Sequence, residues 1–401
     1  MVLSRKYLAK LLIVLFILSS VPLLRAQTGA SNLKGVVNVI HTSVPFITIA
    51  PDSRSSSMGD AGVATSPDIN SQHWNVAKYA FMKEKGGIAV SYSPWLGRMF
   101  SGLHCSYISS YYKFSERETV SASIRYFSLG SITFRNDYGD FINQITPYEM
   151  AIDAGYSRRF GENLAGGILF RYIHSDIAQS QLINGTYYNV GRAIAADIGI
   201  YYDSNVDIGD VVAKFAWGVT MTNLGTPISY TIDSRQLPLP SKLSLGGRLG
   251  FDIDNNHHIL IVLETSKLLV PTNPIFMSDS LVRGIENPES IVLGMIQSFY
   301  DAPGISYFDG THSSAFREEL SEIMIGSAIE YWYRNQFAVR TGYFHESKYK
   351  GSRKYFTFGI GYRLNSLTID LAYLLPTNFN ESPFANTVKL SLGFDFGRKD
   401  Y

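Results

Sequence analysis

The chain has 401 residues, enough for one large domain or two ordinary ones. Its 35 Lys and Arg nearly balance 34 Asp and Glu, which excludes the strong single-sign field of a nucleic-acid binder or of a protein built for acidic substrates. Charged residues are only 17% of the chain, against about a quarter in ordinary soluble domains, while Tyr and Phe number 26 and 24. That balance fits a barrel with an apolar outside and a polar inside, or a soluble β-sandwich or propeller.

Arg5, Lys6 and Lys10 precede an apolar run, Leu11 to Leu18, which Ser19 and Ser20 interrupt. Leu24-Arg25-Ala26 then reads as a cleavage site before Gln27, so residues 1–26 are expected to be a signal peptide. The apolar stretch is too short for the roughly 20 residues that cross a bilayer as a helix, which argues against an anchor. Cys105 is the one cysteine, so neither an internal disulfide nor a cysteine metal site is expected.

Residues 27–85 do not alternate. They carry Pro45, Pro51 and Pro67, a Ser/Gly/Ala-rich run from Ala50 to Thr65, and the stretch Ser71-Gln72-His73-Trp74-Asn75-Val76-Ala77-Lys78. From residue 86 onward the hydrophobic period is two. In the last segment Val388, Leu390, Leu392, Phe394 and Phe396 share one face, with Lys389, Ser391, Gly393 and Asp395 on the other. The same pattern predicts strands near 86–93, 102–114, 119–135, 146–160, 164–177, 191–203, 213–224, 241–253, 257–268, 321–334, 336–346, 352–364, 366–375 and 387–397.

Most of these segments reach the roughly 9–11 residues that cross a membrane at a tilt. Their connections alternate: tight turns at 115–118, 161–163, 254–256, Asn335 and Asn365, with a longer one at 204–212, against long stretches at 94–101, 136–145, 178–190, 225–240, 269–320, 347–351 and 376–386. Alternation alone also fits a sandwich, but this loop asymmetry is that of a transmembrane barrel with short periplasmic turns. The expected fold is all-β, an outer-membrane barrel of about fourteen antiparallel strands over 86–401.

Two further features carry possible chemistry. In the connection 269–320, Asn287-Pro288-Glu289 predicts a helix start with Pro at the first helical position. The Ile291, Leu293, Met295, Ile296 and Phe299 side chains then form an apolar helix, either a lid folded over the barrel mouth or a partner-docking element. His174-Ser175 invites a nucleophile–base reading, but consecutive strand residues point to opposite faces. The eight His are scattered, with no His-Glu-x-x-His, no Gly-x-Ser-x-Gly and no P-loop, so no catalytic, metal or cofactor residues are assigned and no enzyme is expected.

The segment Val44–Met82, the stretch Ser91-Tyr92-Ser93-Pro94-Trp95 and the fourteen strands together resemble the PorV (LptO) family of the Bacteroidota type IX secretion system, within the broader FadL-like barrels. Relatives often carry Pro where this chain has Val76. The resemblance implies a hatch over residues 27–85 inside the lumen, with Asp52, Arg54, Gly59, Asp60, Trp74 and Asn75 as its candidate residues. A barrel this wide needs an internal filler, and Asp52, Arg54, Asp60 and Asp68 could pair with lumen-facing Arg125, Arg248, Asp370 and Lys389. The implied function is a shuttle that takes cargo from a giant SprA- or Sov-like pore and delivers it, by its C-terminal signal domain, to a PorU-like sortase complex. Outer-membrane lipid is the other partner. The alternative is a FadL-like channel for hydrophobic small molecules, which would need a greasy lumen; the inward sets here read as polar.

Overall fold

The computed structural model describes residues 37–94, 102–135, 138–179, 182–183, 186–209, 211–231, 236–277, 280–307, 311–377 and 387–397. The expected signal peptide, the stretch 95–101 with Trp95, and the connection 378–386 lie outside them.

Fourteen antiparallel strands close into one barrel. In chain order they are β1 (Gly86–Pro94), β2 (Leu103–Lys113), β3 (Glu118–Leu129), β4 (Tyr148–Arg159), β5 (Leu164–Asp176), β6 (Gly191–Ile208), β7 (Val211–Gly225), β8 (Lys242–Asp252), β9 (His257–Leu268), β10 (Met324–Tyr333), β11 (Phe337–His345), β12 (Lys354–Leu364), β13 (Leu367–Pro376) and β14 (Thr387–Phe396). Each pairs with its sequence neighbour, and β1 closes the ring on β14 with Val90 opposite Leu392. Closure removes both sheet edges, the condition for placing strands in lipid.

The period-two pattern sets the two faces. Val388, Leu390, Leu392, Phe394 and Phe396 stand exposed on the outside, as do Phe356, Phe358, Ile360 and Tyr362 of β12. Their neighbours Lys389, Ser391 and Thr357 are buried inside. An apolar outer belt over a polar interior inverts a soluble protein and fits hydrocarbon outside. No helix among the described residues is long and apolar enough to cross a membrane.

Three boundaries differ from the sequence reading. The longer turn expected at 204–212 is mostly strand: β6 runs to Ile208 and β7 resumes at Val211, with Gly209 at φ 63 in the turn between. The expected strand 119–135 ends at Leu129, and Ile132–Arg135 pairs with Phe141–Ile145 in a separate hairpin on the rim. The expected strand 321–334 begins only at Met324, because Ser321 closes a helix, Ala315–Ser321. In each case alternation continues through the boundary, so periodicity alone does not mark it.

Residues 37–85 traverse the interior from one rim to the other. At the long-loop end the Asn38 amide donates to the Tyr349 carbonyl (3.1 Å) and the Ser43 amide to that of Pro238 (2.9 Å). At the short-turn end the Lys85 amide donates to Phe396 (3.2 Å), and the Lys85 carbonyl accepts from the Lys113 amide (2.8 Å). Between them lie short turns of helix, Pro45–Thr48, Ser53–Ser56, Ser71–Trp74 and Val76–Phe81. Such short pieces have no stability of their own, so the barrel wall must hold them in place.

If the long loops face outward, His41→Cys and Tyr138→Cys should both react with a membrane-impermeant thiol reagent on intact cells in a Cys105→Ala background. Asn255→Cys, in the turn between β8 and β9, should react only after the outer membrane is permeabilised. Labelling of Asn255→Cys alone would reverse the sides, and protection of His41→Cys would contradict the path of the segment.

Candidate functional site

The interior is organised around Arg54. Its Nε and Nη2 donate to the two carboxylate oxygens of Glu330 on β10 (3.1 and 2.9 Å), a bidentate pair. Its Nη1 donates to Asp68 (2.8 Å) and to the Ser66 carbonyl (3.0 Å), and Nη2 also reaches Ser66 Oγ (2.7 Å). Those bonds occupy all five guanidinium N–H groups. Glu330 accepts in turn from Arg340 Nε on β11 (2.7 Å), and Arg340 Nη1 donates to Asp370 on β13 (2.7 Å). A buried ladder, Asp68–Arg54–Glu330–Arg340–Asp370, thus joins the N-terminal segment to three wall strands.

Around it the wall supplies single ties. Glu264 of β9 accepts from the amides of Gly62 (2.8 Å) and Val63 (2.9 Å), and Thr357 Oγ1 from that of Gly59 (2.9 Å). Gly59 holds φ 63 and lies so close that a Cβ there would stand 2.6 Å from the Tyr343 carbonyl oxygen. A Cβ on Gly342 of β11 would stand 2.4 Å from the Gly59 nitrogen. Backbone meets backbone at this point, which only glycine permits on both sides. Asp60 accepts from Tyr355 Oη (2.5 Å). Asn75 caps the helical turn through Ala77 N (3.1 Å) and donates across to the Ile200 carbonyl (3.0 Å).

The partners differ from those the sequence suggested. Asp52 meets no guanidinium; it caps Ser53–Ser56 through Ser55 N (2.9 Å) and accepts from Trp74 Nε1 (2.6 Å). Lys389 donates to the Ala50 carbonyl (2.7 Å) and Ser56 Oγ (2.9 Å). Arg125 donates to the Ile47 carbonyl (2.7 Å) and His73 Nδ1 (2.7 Å), while Arg248 pairs with Asp203 of the wall itself (2.8 Å). The open side of Gly62 faces the Trp74 ring, while its amide bonds to Glu264 of the wall. Glu264, Glu330, Arg340 and Tyr355 were missed, although each is a polar residue on the inward set of an expected strand. Arg171 shows the same economy, bridging Asp153 (2.8 Å) and Asp197 (3.1 Å).

Two cavities remain beside His73, each of about 10 Å³, room for about one water. His174 faces outward and stacks on Tyr148, while Ser175 points inward to Glu149 (2.7 Å), so the two share no face. Among the described residues no group of three or more His, Cys, Asp or Glu could hold a metal ion. At the rim the apolar helix is present but starts later than expected. Ser290 caps Ile291–Gln297, and Pro288 precedes the cap. Ile291, Leu293, Ile296 and Phe299 are exposed, with Met295 half-buried.

Residues 32–275 match the family model of the type IX secretion system protein PorV, more than half of the chain. The chain belongs to the PorV family. Val76 is the first residue of the turn Val76–Phe81, a position that suits proline because the amide there needs no helical partner. Glu330, Arg340, Asp370 and the rim helix all lie beyond the segment matched to PorV. A search of curated proteins finds no match. Solved structures of similar shape include the Pseudomonas putida toluene transporter TodX (10% identity, 87% of this chain and 99% of that one, TM-score 0.46). The Ralstonia pickettii toluene transporter TbuX (11%, 92% and 100%, TM-score 0.43) and a Pseudomonas aeruginosa FadL homologue (11%, 90% and 100%, TM-score 0.38) are others. Likeness of that degree decides neither substrate nor mechanism.

Arg54→Met leaves Asp68, Glu330 and Asp370 on the ladder with only Arg340 between them, so it should destabilise the barrel by about 3–5 kcal/mol. Arg54→Lys keeps the charge without the fork and should cost less. The urea midpoint of the folded, heat-modifiable band reads both; equal midpoints for wild type and Arg54→Met would refute the role given to Arg54.

Proposed function

We propose that this chain is the outer-membrane carrier of a type IX secretion system. It takes folded cargo from a giant SprA- or Sov-like pore and delivers it, by the cargo's C-terminal signal domain, to a PorU-like sortase complex at the surface. In this reading the chain is exported by its leader, residues 1–26, and works in a Bacteroidota-type outer membrane without a cofactor. Residues 37–85 act as a hatch that closes the lumen.

The observation that carries the carrier role, in a chain of this family, is the apolar helix Ile291–Gln297 at the long-loop rim. Leu293 and Ile296 on it, and Phe299 in the turn that follows, are each at least half exposed, away from the spanning strands. Apolar side chains presented to water mark a docking surface. The second reading, a channel for hydrophobic small molecules, calls for an apolar pocket of about 300–1,000 Å³. The lumen cavities beside His73 have room for about one water each and are lined by Gln72, Arg171, Asp197 and Lys242, which favours the carrier.

Ile296→Ser combined with Phe299→Ser tests the docking surface. Each buried apolar side chain is worth about 1.5–3 kcal/mol, so the complex with the pore should weaken by about two or more orders of magnitude. Barrel levels should stay normal while cargo accumulates inside the cell or remains unattached at its surface. Unchanged secretion together with unchanged co-purification of the pore would reduce the helix to a lid.

A further inference from the structure

The rim segment that carries this helix is fastened by an unusual cluster. Lys267, at the rim end of β9, pairs with Glu319 (3.0 Å) and with Glu322. Lys350, in the turn between β11 and β12, pairs with Glu318 (2.6 Å) and Glu322 (2.8 Å). Asp301 accepts from the Thr272 amide (3.1 Å), Glu319 from that of Ala302 (2.9 Å), and Glu322 from Thr272 Oγ1 (2.5 Å). Four carboxylates, Asp301, Glu318, Glu319 and Glu322, thus surround two ammonium groups, Lys267 and Lys350.

Asp301, Glu318 and Glu322 are buried, with exposures of 0%, 1% and 5%. One oxygen each of Asp301 and Glu318 meets no hydrogen-bond donor. The cluster has too many negative charges for its cations, and no group of its acids could hold a metal. A proton is the remaining way to lower that charge.

We propose that the segment 269–323 is a proton-sensitive latch, fastened to the barrel rim when Asp301 is protonated and loosened when Asp301 ionises. Burial, and then the neighbouring Glu319 and Glu322, push the Asp301 carboxyl from an ordinary 3.8 up to about 7, against the pull of Lys267 and the Thr272 amide. The sign follows. A carboxyl whose pKa is higher in the fastened state takes up a proton on fastening, so fastening is favoured in acid. It weakens by up to about tenfold per pH unit between about 4 and about 7, then levels off. Position makes the effect useful. Asp301 directly follows Tyr300 at the end of the apolar helix, and the Phe299 ring lies 5.9 Å from Lys267 Nζ. Loosening the latch would let the part of the segment that presents Leu293, Ile296 and Phe299 move away from the rim. The latch does not depend on what that face docks.

Hydrogen exchange of the full-length barrel in detergent tests it, read on peptides covering 289–303 and corrected for intrinsic exchange at each pH. Protection should fall by up to about tenfold per unit from pH ~5 to ~7 and then flatten. Asp301→Asn keeps the acceptor for Thr272 and mimics the protonated acid, so its protection should stay high and flat. Glu319→Gln removes one raising charge and should move the midpoint to lower pH in a barrel that still folds. A flat wild-type profile, or the wild-type profile retained in Asp301→Asn, would overturn the latch.

Discussion

A fourteen-stranded barrel encloses more volume than inward side chains can fill, and a segment that fills it must find partners there for the polar groups it takes from water. In this chain one guanidinium carries much of that pairing. Arg54 spends all five donors within the lumen, and through Glu330 it connects the N-terminal segment to β10, β11 and β13. Buried ion pairs of this kind add little net stability, because desolvation offsets most of the attraction. Their value is in register. A segment made of turns of four to six residues has no fold of its own, and charges that are costly anywhere but here hold it in one place.

Close backbone contact completes the fit. Gly59 and Gly342 meet without side chains between them, and the wall carboxylate of Glu264 reads two consecutive segment amides. The cavities beside His73 take about one water each. What such a barrel can offer a partner is then its rim, where the apolar helix and the carboxylate cluster sit side by side in one segment.

Much of this architecture was legible in the sequence, because a period of two is a direct consequence of strand geometry. Leu392 and Ser391 could be assigned to opposite faces without coordinates, and all fourteen strands were found. Boundaries such as Ile208 and Leu129 were not legible, since a strand leaving the barrel keeps its alternation. The inward residues Arg125, Arg248, Asp370 and Lys389 were placed in the lumen, but their partners were not readable. Pairing depends on where a non-periodic segment lies in three dimensions, and charge alone does not say whether Arg54 will meet Asp370 or Glu330. The rim cluster was invisible for a similar reason: Lys267, Asp301, Glu319 and Lys350 are far apart in sequence and share no pattern.

The central claim is that the segment 37–85 fills the lumen, so that the barrel acts through its rim and not as a conduit. Single-channel recording of the purified full-length barrel in planar bilayers tests this most directly. The account predicts a closed barrel with at most brief openings, and wide, noisy conductance once residues 43–68 are deleted from a barrel that still assembles. Steady, porin-like conductance from the intact chain would contradict it.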